Sequence, residues 1–79
     1  MRMRKKVEFD YSKLRGRIVE KYGSITRFAD ALGISKSALS VKLNNHRLFT
    51  QDEIYRAIIL LDIEHEATEY FFTVKVTKR

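Results

Sequence analysis

Five residues between positions 36 and 44 have the chemistry and spacing to read the edges of nucleic-acid bases. At about 100° per residue, Lys36, Ser37, Ser40, Val41 and Asn44 share one helical sector of roughly 140°, turned away from Leu39 and Leu43. The sector is polar and mostly short-chained, so a helix carrying it can sit deep in a major groove. Lys36 can donate to guanine acceptors, Ser37 and Ser40 can bond either way, and Val41 can meet a thymine methyl. A second set suits phosphate. Ser24, Thr26 and Arg27 fall at a helix start, where free amides and the positive end of the dipole gather. Asn45, His46 and Arg47 form a donor-rich turn beyond residue 44. Such contacts position a protein on a backbone without specifying sequence. Catalysis has much less material. His46 and His65 are the two histidines, cysteine is absent, and no paired-carboxylate, phosphate-loop or metal-ligand spacing occurs. The chain reads as a non-enzyme needing no metal and no cofactor.

The base-reading sector needs a helix, and the chain marks its helices with caps and glycines, since it has no proline. Asp10 caps a first helix with Tyr11, Leu14, Ile18 and Tyr22 inward. Phe9 and Leu14 form its hydrophobic staple, and Gly23 stops it. Gly16 within it marks either close packing or local weakness. Ser24 caps a second helix over 24–32 with Ile25, Phe28, Ala29 and Leu32 on one face, ended by Gly33. Ser35 opens a third over 35–43, with Ile34 and Leu39 as staple. These two helices are separated by only Leu32-Gly33-Ile34, the spacing of a helix-turn-helix from Ser24 to Leu43. Two packed helices with an ordinary solvated face are the plain alternative. Thr50 and Glu53 form a capping box flanked by the staple pair Phe49 and Ile54. The helix they open turns Ile54, Ala57, Ile58 and Leu61 inward. A fifth short helix is expected around His65 to Phe71. Thr73 to Thr77 alternates like a strand, with Val74 and Val76 on one face. The fold class expected is all-α: five helices with a helix-turn-helix and a possible short C-terminal extended segment.

Seventy-nine residues, 44% of them apolar, form one domain spanning 1–79, with basic ends at 1–8 and 77–79 expected to be flexible. The net charge of +6 is uneven. Residues 1–47 hold twelve Lys or Arg against four Asp or Glu, residues 48–72 hold one against six, and residues 73–79 add three more cations. A basic half suits a polyanion, and the acidic 48–72 segment suits another surface. No stretch approaches the roughly 20 apolar residues of a membrane span. Without cysteines or a signal-peptide pattern, the expected location is the cytoplasm.

The segment Ser24 to Leu43 resembles the helix-turn-helix of the Cro and repressor family of phage regulators, through Ser24, Phe28, Ala29, Leu32, Gly33, Ile34, Ser35 and Leu39. The strings Tyr11–Ile18, Leu43–Asn45, Phe49–Ile54 and Tyr70–Thr73 are similar to small Cro-like regulators of temperate phages of Gram-positive bacteria. The resemblance covers about residues 9–76. It implies a compact five-helix repressor-like fold, double-stranded operator DNA as partner, a recognition helix at about 35–43, and a part, in the cytoplasm of a bacterial host cell, in the choice between lysogenic and lytic growth. Two positions depart from the pattern. Ile25 stands where many members carry glutamine, and Lys42 where many carry an apolar residue, so Lys42 is expected to snorkel outward. The alternative is an antirepressor that binds the phage repressor protein, with Tyr55 and Tyr70 in the acidic segment as anchors. Val74 and Val76 leave a further alternative open, pairing with Val7 and Phe9 of the same chain or of a second copy in a homodimer.

Overall fold

The computed structural model describes residues 7–75. Five helices follow one another: α1 (Ser12–Tyr22), α2 (Ile25–Leu32), α3 (Lys36–Leu43), α4 (Gln51–Leu61) and α5 (Ala67–Phe71). The fold is all-α, and the described residues contain one isolated antiparallel bridge, Phe9 with Val74, and no strand.

The caps act where the sequence puts them for the three middle helices. Ser24 accepts the Arg27 N–H at 3.1 Å, Ser35 accepts the Ala38 N–H at 3.0 Å, and Thr50 and Glu53 close a reciprocal capping box. At α1 the cap shifts. Tyr11 occupies the N-cap position, because the Asp10 N–H is drawn to the Thr73 carbonyl at 2.7 Å and keeps Asp10 outside the helix. Its carboxylate still accepts the Ser12 N–H and hydroxyl, at 2.9 and 2.7 Å, and these bonds hold it below the ordinary carboxylate value. Gly33 takes φ 87° to end α2, a left-handed turn that a side chain would strain. α5 starts at Ala67, later than expected, since a turn at residues 64–66 precedes it.

Leu14 and Ile18 of α1, Phe28 and Leu32 of α2, Leu39 of α3, Leu61 and Ile63 at the end of α4, and Phe71 of α5 meet in one fully buried core. Tyr11, Phe49 and Phe71 stack edge to face, with centroids 5.5 and 5.4 Å apart, the arrangement that aromatic quadrupoles favour. Side chains also close helix ends. Arg17 and Tyr22 of α1 donate to the Leu61 and Leu60 carbonyls of α4, at 2.9 and 3.2 Å. Arg56 of α4 donates to the Leu32 carbonyl of α2 at 2.6 Å. These bonds fix α4 across both α1 and the helix-turn-helix.

α4 turns its expected face inward: Ala57 and Leu61 are buried and Ile54 and Ile58 pack half-buried against the core, with Glu53 buried beside them. The C-terminal segment pairs within its own chain. Lys75 donates to the Glu8 carbonyl at 2.9 Å, so Glu8 is tied down rather than part of a free basic end. Residues 1–6, Val76 and 77–79, which carry the rest of the expected strand and basic ends, lie outside the described residues.

Candidate functional site

The α2–α3 pair is held together by a buried inner side. Phe28, Ala29, Leu32 and Leu39 are at most 1% exposed, and Ile25 and Ile34 pack at its edges. That packing turns the opposite side of α3 outward. Lys36 and Ser37 are exposed, Ser40 and Val41 half-buried, and Asn44 exposed at the end of the helix, so all five sector residues share one outer face. Asn44 is held in place, accepting from Arg15 at 2.9 Å and lying 3.5 Å from the Ser40 hydroxyl. Ser24, Thr26 and Arg27 lie at the start of α2, with Thr26 and Arg27 exposed.

Lys42 is the main correction. It does not reach outward: it is 9% exposed and donates to both Glu53 oxygens, at 2.6 Å each. Glu53 also accepts the Thr50 N–H at 2.9 Å. Burial alone would raise the Glu53 carboxyl, yet the Lys42 ammonium and the Thr50 bonds outweigh it and hold the group below its ordinary value. The departure from an apolar residue at position 42 is therefore absorbed by a buried ion pair that joins α3 to α4.

Asn45 is also occupied. It lies in the left-handed region at φ 66°, with its N–H bonded to the Lys42 carbonyl and the His46 N–H to that of Val41, which closes α3 with a Schellman turn. Its side-chain amide accepts the Phe9 N–H at 2.8 Å and donates to the Phe9 carbonyl at 2.9 Å. Asn45 is thus a latch between the α3–α4 loop and the N-terminal segment, and its amide is not open to a phosphate. His46 and Arg47 remain exposed.

Charge pairing separates this face from the rest of the surface. Lys13, Arg17, Lys21, Arg56 and Lys75 pair with Glu69, Glu20, Asp62, Asp52 and Glu8. Arg15, Arg27, Lys36 and Arg47 have no carboxylate partner among the described residues. The uncompensated positive charge thus lies on the α2–α3 pair, the loop after it, and Arg15 of α1, which donates to the neutral Asn44 amide at the end of α3.

The surface also has apolar ground, of which Leu48, Phe72 and Ile59 were not indicated by the sequence. Val7, Leu48, Phe72 and Val74 are exposed near Phe9, and Leu48 is 75% exposed. Tyr55, 64% exposed, and Ile59 lie on the outer side of α4. Tyr70, the other expected anchor, is half-buried, with the Lys13 ammonium 4.9 Å from its ring centroid. No group of three or more potential metal ligands occurs among the described residues, and no described helix is long and apolar enough to cross a membrane.

Residues 7–74 match the model of a family described as a protein of unknown function (DUF739). Among solved structures, the chain is similar to the modulator of repression of the temperate bacteriophage TP901-1 from Lactococcus lactis. The two share 38% identity and a TM-score of 0.68 over 81% of this chain and 86% of the other. No curated protein matches.

Proposed function

We propose that this chain, which belongs to the DUF739 family, modulates repression in a temperate-phage genetic switch by binding the repressor protein of that switch. The observation that carries this reading is the 38% identity to a modulator of repression across most of both chains. The chain then acts as a non-enzymatic regulator inside the bacterial host. It draws a repressor into a complex whose amount follows the concentrations of both proteins.

The surface is compatible with a protein partner. Exposed apolar side chains stand beside unpaired cations, a mixture that buries well against protein and poorly against a phosphate backbone. A second reading is operator binding of the Cro type, with α3 in the major groove. The polar outer face of α3 and the unpaired Arg27, Lys36 and Arg47 favour it.

A mobility-shift titration separates the two. DNA from beside this chain's gene is titrated with the chain alone, with the neighbouring repressor alone, and with both. The proposal expects the chain alone to show no sequence preference and to change the repressor–DNA band when both are present. Sequence-specific retardation by the chain alone, with the repressor band unaltered, decides for the Cro-type reading. In that case Lys36→Ala or Ser40→Ala relaxes preference at one base by about 1–3 kcal/mol, while Arg47→Ala weakens all sequences alike.

A further inference from the structure

The loop that follows α3 borders an open groove of about 480 Å³, lined by Val7, Phe9, Asn45, His46, Arg47 and Leu48. Three features give it a character of its own. Its walls are mostly apolar, and Leu48 is the most exposed large hydrophobic residue among those described. Its charge is cationic: among the described residues Arg47 is the one charged side chain in its lining, it has no ion pair, and no carboxylate joins it there. Its floor is preformed, because the Asn45 amide clamps both backbone groups of Phe9 and the Schellman turn fixes the loop that carries His46 and Arg47. A site already rigid before binding loses little conformational freedom when it is filled.

From these we infer that the groove under the α3–α4 loop docks an apolar segment of the repressor protein that carries Asp or Glu beside its apolar side chains. The inference rests on the reading that the chain binds that repressor. Charge complementarity selects the occupant. The apolar side chains fill the space between Val7, Phe9 and Leu48, and the carboxylates meet the Arg47 guanidinium and His46 at the rim. DNA offers nothing apolar on its backbone to cover Leu48. A second copy of this chain fits less well. Its own acid-flanked apolar stripe on α4, Tyr55 and Ile59 between Asp52 and Asp62, has both carboxylates committed to Arg56 and Lys21. Arg47 also lines a second groove, with Ser37, Ala38, Val41 and Lys42. A segment seated over Leu48 therefore extends naturally across Arg47 toward the outer face of α3.

The test is calorimetric titration of the neighbouring repressor with the full chain and with Leu48→Glu, Arg47→Glu and the control Ile59→Glu. All three positions are at least partly solvent-facing, and thermal melts verify that each variant is folded. Leu48→Glu and Arg47→Glu are expected to raise Kd at least tenfold, and Ile59→Glu to leave it within threefold. Unchanged binding by Leu48→Glu, or loss confined to Ile59→Glu, overturns the groove while leaving repressor binding intact. No binding by the unmodified chain overturns the functional reading and the groove with it. Sedimentation of the chain alone covers the remaining occupant: a homodimer that Leu48→Glu dissociates overturns the assignment to the repressor.

Discussion

Turning Lys42 inward commits Glu53 to two tasks, closing the N-terminus of α4 and neutralising an ammonium from α3. A buried pair of this kind contributes little net stability but is costly to break, since the survivor is left charged and dry. Lys42→Met is therefore expected to destabilise the chain by about 3 kcal/mol, whereas Lys42→Met with Glu53→Gln recovers most of the loss. Denaturant unfolding of the single and double variants measures both. The depressed carboxyl adds an acid dependence. A group whose pKa is lower folded than unfolded stabilises the fold above its unfolded value. That stability is lost as pH falls from about the ordinary 4.5 through the lower folded value. Melts from about pH 5 to pH 3 should show this loss in the parent chain and a flatter acid limb in Glu53→Gln. The capping role of Glu53 was legible in the sequence because its partner lies three residues away. Its pairing with Lys42, eleven residues distant across a turn, was not, since it requires knowing how α3 and α4 cross. The same holds for Asn45, whose partner Phe9 is 36 residues away.

Helix starts were readable wherever a hydroxyl or carboxylate faces a free amide of its own chain, as at Ser24, Ser35 and Thr50. They were less readable where tertiary contacts intervene. Asp10 is pulled out of its cap by Thr73. The outer face of α3 could be placed from periodicity alone, because 100° per residue relates its members without reference to any other element. What it faces could not. Gly16 illustrates the gap at one position. Neither of its sequence meanings, packing or weakness, could be preferred, but in the folded chain a Cβ there meets nothing within 4 Å. Gly16→Ala should therefore stabilise the protein by up to about 1 kcal/mol, read as a higher melting temperature with an unchanged m-value. Gly33→Ala is expected to do the reverse. Its backbone is left-handed, and the added carbon would come 3.3 Å from the Arg56 guanidinium that caps α2.

Across the whole molecule, the charge asymmetry visible in the sequence becomes a pattern of pairing. The acidic 48–72 segment is largely spent neutralising cations of α1, α4 and the buried Lys42 of α3, while Arg27 and Lys36 on the outside of α2 and α3 stay uncompensated among the described residues. The sequence therefore showed an excess of positive charge but not where it would stay free. Segments 8–10 and 73–75 meet through a small set of backbone bonds beside Phe9. Deleting residues 73–79 removes two of them and should cost about 2 kcal/mol, with faster amide exchange at Asp10 than anywhere in the core helices. Amide exchange at Asp10 equal to that of the intact chain would show that the N-terminal segment holds without its partner.

The Asn45 latch has a practical consequence for anyone handling the protein. It draws the start of the described chain under Leu48, and the Phe9–Val74 bridge brings the other end to the same place. A fluorophore attached at Val7 or Val74 would therefore sit beside the groove. The turn at residues 64–66, between α4 and α5, is the better place for a label.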